Sequence, residues 1–80
     1  MTREEVFERL NDVFRDEFDD EELTVTDATV AQDVDGWDSL AHINLMAAIE
    51  DEFDIKFGMK EVNNMKNVGE MVDIILARLS

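Results

Sequence analysis

Residues 35–53 read Asp35-Gly36-Trp37-Asp38-Ser39-Leu40-Ala41-His42-Ile43-Asn44-Leu45-Met46-Ala47-Ala48-Ile49-Glu50-Asp51-Glu52-Phe53. From Ser39 onward the apolar residues recur at helical spacing, which predicts a helix over 39–53. Projected at 3.6 residues per turn, Leu45, Met46, Ile49 and Phe53 fall on one arc, which must face a core. Leu40, Ile43 and Ala47 fall on a second, nearly opposite arc, flanked by Asn44, Glu50 and Asp51. A helix in a small bundle turns one side to water, so this second arc is expected to be exposed. Apolar groups ringed by acids have the make-up of a docking surface; the alternative is that the preceding loop covers them. Asp38 stands where its carboxylate can accept from the free amides of the first turn, so it is the predicted N-cap. Ser39 is thereby placed at the mouth of a helix.

The flanking sequence extends the helical pattern. Thr2 with Glu5 matches a capping box, and Val6, Phe7, Leu10, Val13, Phe14 and Phe18 recur at helical spacing, predicting a first helix over about 3–17. Residues 19–38 are acidic and weakly periodic; Leu23, Val25, Val30 and Val34 are expected to pin this long connection onto the bundle, with a short helical turn near Thr26–Val30. Residues 54–58 break the pattern, 59–64 form a short third helix around Val62, and Asn67 with Glu70 opens a last helix. Val68, Met71, Val72, Ile75, Leu76 and Leu79 give that helix an unbroken apolar stripe. The fold class expected is all-α: a single domain over residues 1–80, built as a four-helix bundle with a long first loop and a short third helix.

Composition narrows the function. The chain has 80 residues, no proline, no cysteine and a formal net charge of -14. Without cysteine there is neither a disulfide framework nor a thiolate metal site. No apolar run is long enough for a membrane span and no signal-peptide pattern is present, so a cytoplasmic monomer is the expectation. Between Arg15 and Lys56 there is no Lys or Arg, yet the stretch holds 14 acids; outside it 7 acids balance 7 bases. The entire net charge therefore lies between the last turn of the first helix and the end of the second. Nucleic acid and anionic lipid are poor partners for it; basic protein surfaces are good ones, and the field would speed their encounter.

Two further chemistries fit the residues poorly. Asp38, Ser39 and His42 invite a hydrolytic relay, but the acid must orient the imidazole while the imidazole reaches the hydroxyl. Three residues crowded at one helix start are badly placed for both, and no cleft is expected. An EF-hand loop needs its glycine sixth; setting Gly36 there puts Ala31 first and His42 twelfth, where Asp and Glu are required. No catalytic residue and no metal site is expected, and the chain is not expected to be an enzyme.

Asp38-Ser39-Leu40 at the start of the second helix, preceded by Gly36-Trp37, together with the size, acidity and helix order, resembles the acyl carrier protein family along essentially the whole chain. The resemblance implies that Ser39 receives a 4'-phosphopantetheine arm from coenzyme A, attached by a phosphopantetheinyl transferase that Asp38 helps to align. It implies that Leu40, Ile43, Asn44 and Ala47 form the contact with partner enzymes, and that Glu50 and Asp51 pair with partner Lys and Arg residues. Those partners would be acyl or aminoacyl ligases, acyltransferases and synthases with basic docking surfaces. In sequestering members the acyl chain folds between the helices, and Leu45, Met46, Ile49, Phe57, Val62, Met65, Val68 and Met71 are candidates to line that space; a plain packed core is equally compatible with them. A serine hydroxyl at a helix N-terminus suits a phosphodiester, and an arm that brings its own thiol needs no cysteine from the protein.

Three stretches depart from the commonest fatty-acid carriers. Asn44 stands where an acid is usual, Ile55-Lys56-Phe57-Gly58 replaces an acidic-isoleucine-proline turn, and Met59-Lys60-Glu61 makes the third helix less acidic. A carrier dedicated to polyketide, polysaccharide-modifying or other specialised acyl transfer is implied at least as well as one for fatty-acid synthesis. An aminoacyl or D-alanyl carrier, an acidic interaction module without an arm, and a small hydrolase using Ser39 and His42 stand as alternatives.

Overall fold

Thr2 and Glu5 open the first helix as a reciprocal pair. Thr2 Oγ1 accepts from the Glu5 amide at 3.2 Å, and the Thr2 amide donates to Glu5 Oε1 at 2.9 Å, so two amides of the free end are satisfied. In the computed structural model, which describes residues 1–79, this helix, α1, spans Arg3–Glu17. A long loop with a 3-10 turn at Ala31–Asp33 leads to α2 (Ser39–Phe53), α3 (Met59–Asn64) and α4 (Val68–Leu79). No strand occurs among the described residues. This is the all-α architecture the apolar spacing predicts, with the long first loop and the short third helix.

One local expectation needs correction. The helical turn predicted near Thr26–Val30 is a plain turn, closed by the Thr29 amide donating to the Thr26 carbonyl at 3.1 Å, and the helical piece comes later, at Ala31–Asp33. Side chains decide this. Thr29 Oγ1 accepts from the Thr26 amide at 2.8 Å, and Asp33 Oδ2 accepts from the Val30 amide at 3.1 Å. Such local bonds compete with helix formation.

The core is built from three helices. Val6, Leu10 and Phe14 of α1, Leu45 and Ile49 of α2, and Val68, Val72 and Ile75 of α4 are fully buried. α3 buries no residue completely; Val62 and the following Met65 lean on the core half-buried. α2 ends at Asp54, which takes the left-handed conformation (φ 54°) that an aspartate tolerates at a helix C-terminus.

The loop is sewn down by polar bonds as well as by Val25 and Val34, both buried. Asn11 Oδ1 accepts from the Val25 amide at 2.6 Å, and Arg15 Nε donates to the Leu23 carbonyl at 2.7 Å. At the far end the Val68 and Gly69 amides donate to the Thr29 and Asp27 carbonyls at 2.9 and 3.0 Å, so the loop backbone takes amides from the start of α4. A Cβ on Gly69 would lie 2.9 Å from the Asp27 carbonyl oxygen, which is why glycine occupies that place. Arg3 ties the same corner, bonding Asp73 at 2.7 Å and also Asp27.

Candidate functional site

Gly36 turns the chain into α2. Its φ of +85° lies in the region that favours glycine, and open space surrounds the position a Cβ would take, so backbone conformation alone demands glycine here. Asp38 then caps the helix as predicted. Its Oδ1 accepts from the Ala41 amide at 2.8 Å, and its carbonyl accepts from the His42 amide at 2.9 Å. The Ser39 and Leu40 amides are left without an intrahelical partner. Ser39 is the first residue of α2 and is exposed, and its hydroxyl makes no hydrogen bond with the described residues. A free hydroxyl beside unpaired amides at the positive end of a helix is well suited to carry a phosphoryl group.

The two arcs of α2 separate as their spacing predicts. Leu45, Met46, Ile49 and Phe53 are buried, whereas Leu40 and Ile43 are 68% and 61% exposed. Asn44, Ala47 and Asp51 are exposed beside them. The loop does not cover this face. Glu50 is different: it is half-buried, and its Oε2 accepts from the Phe57 amide at 2.8 Å. Its carboxylate holds the turn after α2, which leaves Asp51 as the freer acid of the rim.

A groove of about 480 Å³ opens beside Ser39, between the first turn of α2, the α3 segment and the loop. No cleft is expected from the sequence, and the groove corrects that expectation. Periodicity assigns residues to faces, but it cannot show that a six-residue helix stands off far enough to leave space. Of the residues expected to line an interior space, Val62, Met65 and Met71 border this groove. Leu45, Met46, Ile49 and Val68 lie in the packed core. Lys66, Asn63 and Asn67 supply its polar edge; the sequence marks Asn67 only as a helix cap, and nothing in the spacing singles out the other two.

His42 sits in that groove, half-buried at the margin of the core. The Trp37 Nε1–H donates to His42 Nδ1 at 3.0 Å, and His42 Nε2 lies 2.9 Å from the Val62 carbonyl oxygen. An indole can only donate and a carbonyl can only accept, so in this arrangement Nδ1 accepts and Nε2 donates. Both ring nitrogens are thereby occupied, and neither has a lone pair to offer Ser39. The hydrolytic relay is absent. Among the described residues no group of three or more His, Cys, Asp or Glu side chains is placed to hold a metal ion.

The chain matches the family described as a phosphopantetheine attachment site over residues 8–75. It is 32% identical to the acyl carrier protein of Petrotoga mobilis, an alignment covering 100% of this chain and 94% of that one. It is also 32% identical to the mitochondrial acyl carrier protein of Saccharomyces cerevisiae, over 94% of this chain but only 63% of that longer protein. Its fold is similar to the solution structure of a holo acyl carrier protein from Geobacter metallireducens. The TM-score is 0.86 with 39% identity, over 92% of this chain and 85% of that one.

Proposed function

The chain belongs to the acyl carrier protein family, and on that footing we propose that Ser39 is the residue that bears its phosphopantetheine arm. The family carries covalent phosphopantetheine and does not catalyse; when bound, the group supplies a terminal thiol that holds an acyl unit as a thioester. The observation behind the assignment is the exposed, unbonded Ser39 hydroxyl directly after the Asp38 cap. In the attachment, Ser39 Oγ forms the new bond to phosphorus and the nucleotide part of coenzyme A leaves. The hydroxyl proton passes to the transferase. Asp38 holds the first turn in shape for that encounter and adds a carboxylate to the surface the transferase meets.

Leu40, Ile43, Asn44 and Ala47 form the docking face, with Leu40 and Ile43 as its anchors and Asp51 as the charge offered to partner Lys and Arg residues. Glu50 contributes charge from a fixed position. Partners are the transferase and the ligases, acyltransferases or synthases that load and unload the arm. Lys56, in the turn after α2, and Lys60, in α3, are both exposed and add positive charge to an otherwise acidic surface. They suit partners dedicated to a specialised acyl pathway at least as well as those of bulk fatty-acid synthesis. No helix among the described residues is long and apolar enough to cross a membrane.

Incubation with coenzyme A and a broad-specificity phosphopantetheinyl transferase should add one phosphopantetheine per chain by mass spectrometry, and Ser39→Ala should abolish the addition. A wild-type chain left unmodified by several active transferases would sink the assignment. Loading the holo protein with acyl ligases and, separately, with aminoacyl ligases then separates acyl from aminoacyl cargo.

A further inference from the structure

α3 is the least secured element of the bundle. It has six residues, too few to stay helical alone, and none of them is fully buried. Its position depends on a few tethers: the half-buried Val62 and Met65, the Glu61–Arg78 pair, and the bond from His42 Nε2 to the Val62 carbonyl. Of the polar tethers only the last lies inside the groove. The same imidazole is held from the other side by the Trp37 indole. Trp37 is fixed in turn, with its ring packed edge-on against Phe14 at a centroid distance of 5.2 Å and tilted against Phe18 at 6.0 Å. Trp37 and His42 are stacked at 5.9 Å with 22° between their planes. A continuous path therefore runs from α1 through the indole and the imidazole to the backbone of α3. Behind it the core is closed, since Leu45, Ile49 and Val68 are fully buried.

We propose that His42 is a two-ended latch. By joining Trp37 to the Val62 carbonyl it holds α3 against the loop and keeps the groove beside Ser39 shallow. A carried acyl chain then lies at the groove mouth instead of passing between α2 and α3 into the core. His42 is a positioning residue in this scheme: it touches neither the attachment hydroxyl nor the reacting end of the cargo. The consequence for cargo rests on Ser39 bearing the arm; the latch itself does not.

Amide exchange in the unmodified protein, followed by NMR, tests the latch without any cofactor. The reporter is the Val62 amide, which donates to the Gly58 carbonyl at 3.1 Å. His42→Ala should speed exchange of the α3 amides roughly two- to tenfold, the effect of losing one ordinary hydrogen bond, while the core amides of α1 and α4 keep their rates. Trp37→Phe keeps a ring in the aromatic cluster but removes the indole donor. It should also speed α3 exchange in the wild-type background, and should add nothing on top of His42→Ala. Nitrogen shifts of His42 should show an unprotonated Nδ1 in the wild type and a loss of tautomer preference in Trp37→Phe. Additive effects of the two substitutions, or α3 rates untouched by either, overturn the latch.

The cargo half is tested on holo protein carrying an octanoyl thioester. Wild type should react with hydroxylamine as fast as free octanoyl-pantetheine, and His42→Ala roughly two- to tenfold more slowly, as the chain enters the opened bundle. Equal protection in wild type and variant overturns that half. A chain that accepts no arm fails the Ser39 assignment instead, and the exchange experiment still decides the latch.

Discussion

Asp38 and Glu61 each hold a backbone amide at the start of a helix, and their removal should have separable consequences. Asp38→Ala leaves the Ala41 amide without its 2.8 Å partner and should cost about 1 kcal/mol. That lowers the melting temperature by about 4–8 °C in a domain of this size. Glu61 is held below the ordinary glutamate range chiefly by the Gly58 amide donating to its carboxylate at 2.8 Å, with Arg78 acting in the same direction against partial desolvation. A carboxyl whose folded-state pKa is depressed adds stability above its unfolded pKa and loses it as pH falls through the folded value. The melting-temperature gap between wild type and Glu61→Gln should therefore be widest at neutral pH. It should close as pH falls below the usual glutamate range. Glu5 is lowered in the same direction by the Thr2 amide and hydroxyl, so Glu5→Gln should follow the same pattern at the start of α1. A gap independent of pH for both variants would show that these carboxylates serve only through shape.

The second helix carries two apolar faces with opposite duties, and one pair of substitutions reads both. Ile49 is fully buried and Ile43 is 61% exposed. Ile49→Ala removes core packing and should cost about 2–5 kcal/mol. Ile43→Ala should change stability by less than about 0.5 kcal/mol, yet slow modification by the transferase if that face is where partners dock. Denaturant melts and modification rates measured on both variants check the division. The two arcs were legible in the sequence because a helical period leaves little freedom in which side chains share a face. The bounds of α1, α2 and α3 were legible for a related reason: caps such as Thr2–Glu5 and Asp38 are local bonds between near neighbours. The groove and the His42 bonds were not legible. Trp37 and Val62 meet His42 from a loop and from another helix, across 5 and 20 residues. No periodicity encodes such a meeting. Glu50 escaped for the same reason, because its bond to the Phe57 amide exists only once the turn after α2 has formed.

At the scale of the whole molecule the governing quantity is charge. Where α1 packs on α2, like charges face each other. Asp12, Asp16 and Glu17 border the same acidic groove as Asp51 and Glu52, and Arg9 reaches Glu52 only at 3.8 Å with both side chains largely exposed. Arg15 also reaches Asp12 at 3.5 Å; exposed pairs of this kind contribute little, so much of the repulsion remains. Added salt or millimolar-range divalent ion should raise the melting temperature, by about 4–8 °C for each ~1 kcal/mol of repulsion relieved. Thermal scans across ionic strength measure it, and a flat response would mean that solvent already screens the acidic groove. The same asymmetry should make association with basic partners fastest at low ionic strength.

Trp37 gives the molecule a reporter of its own. It is the only tryptophan of a chain that contains no tyrosine, and its ring nitrogen points at the imidazole that borders the groove. Ultraviolet excitation of the unlabelled protein therefore lights a single place, beside the serine. An emission colour and lifetime that change as cargo is loaded, exchanged or released would let one follow the carrier through a whole reaction cycle with no dye attached.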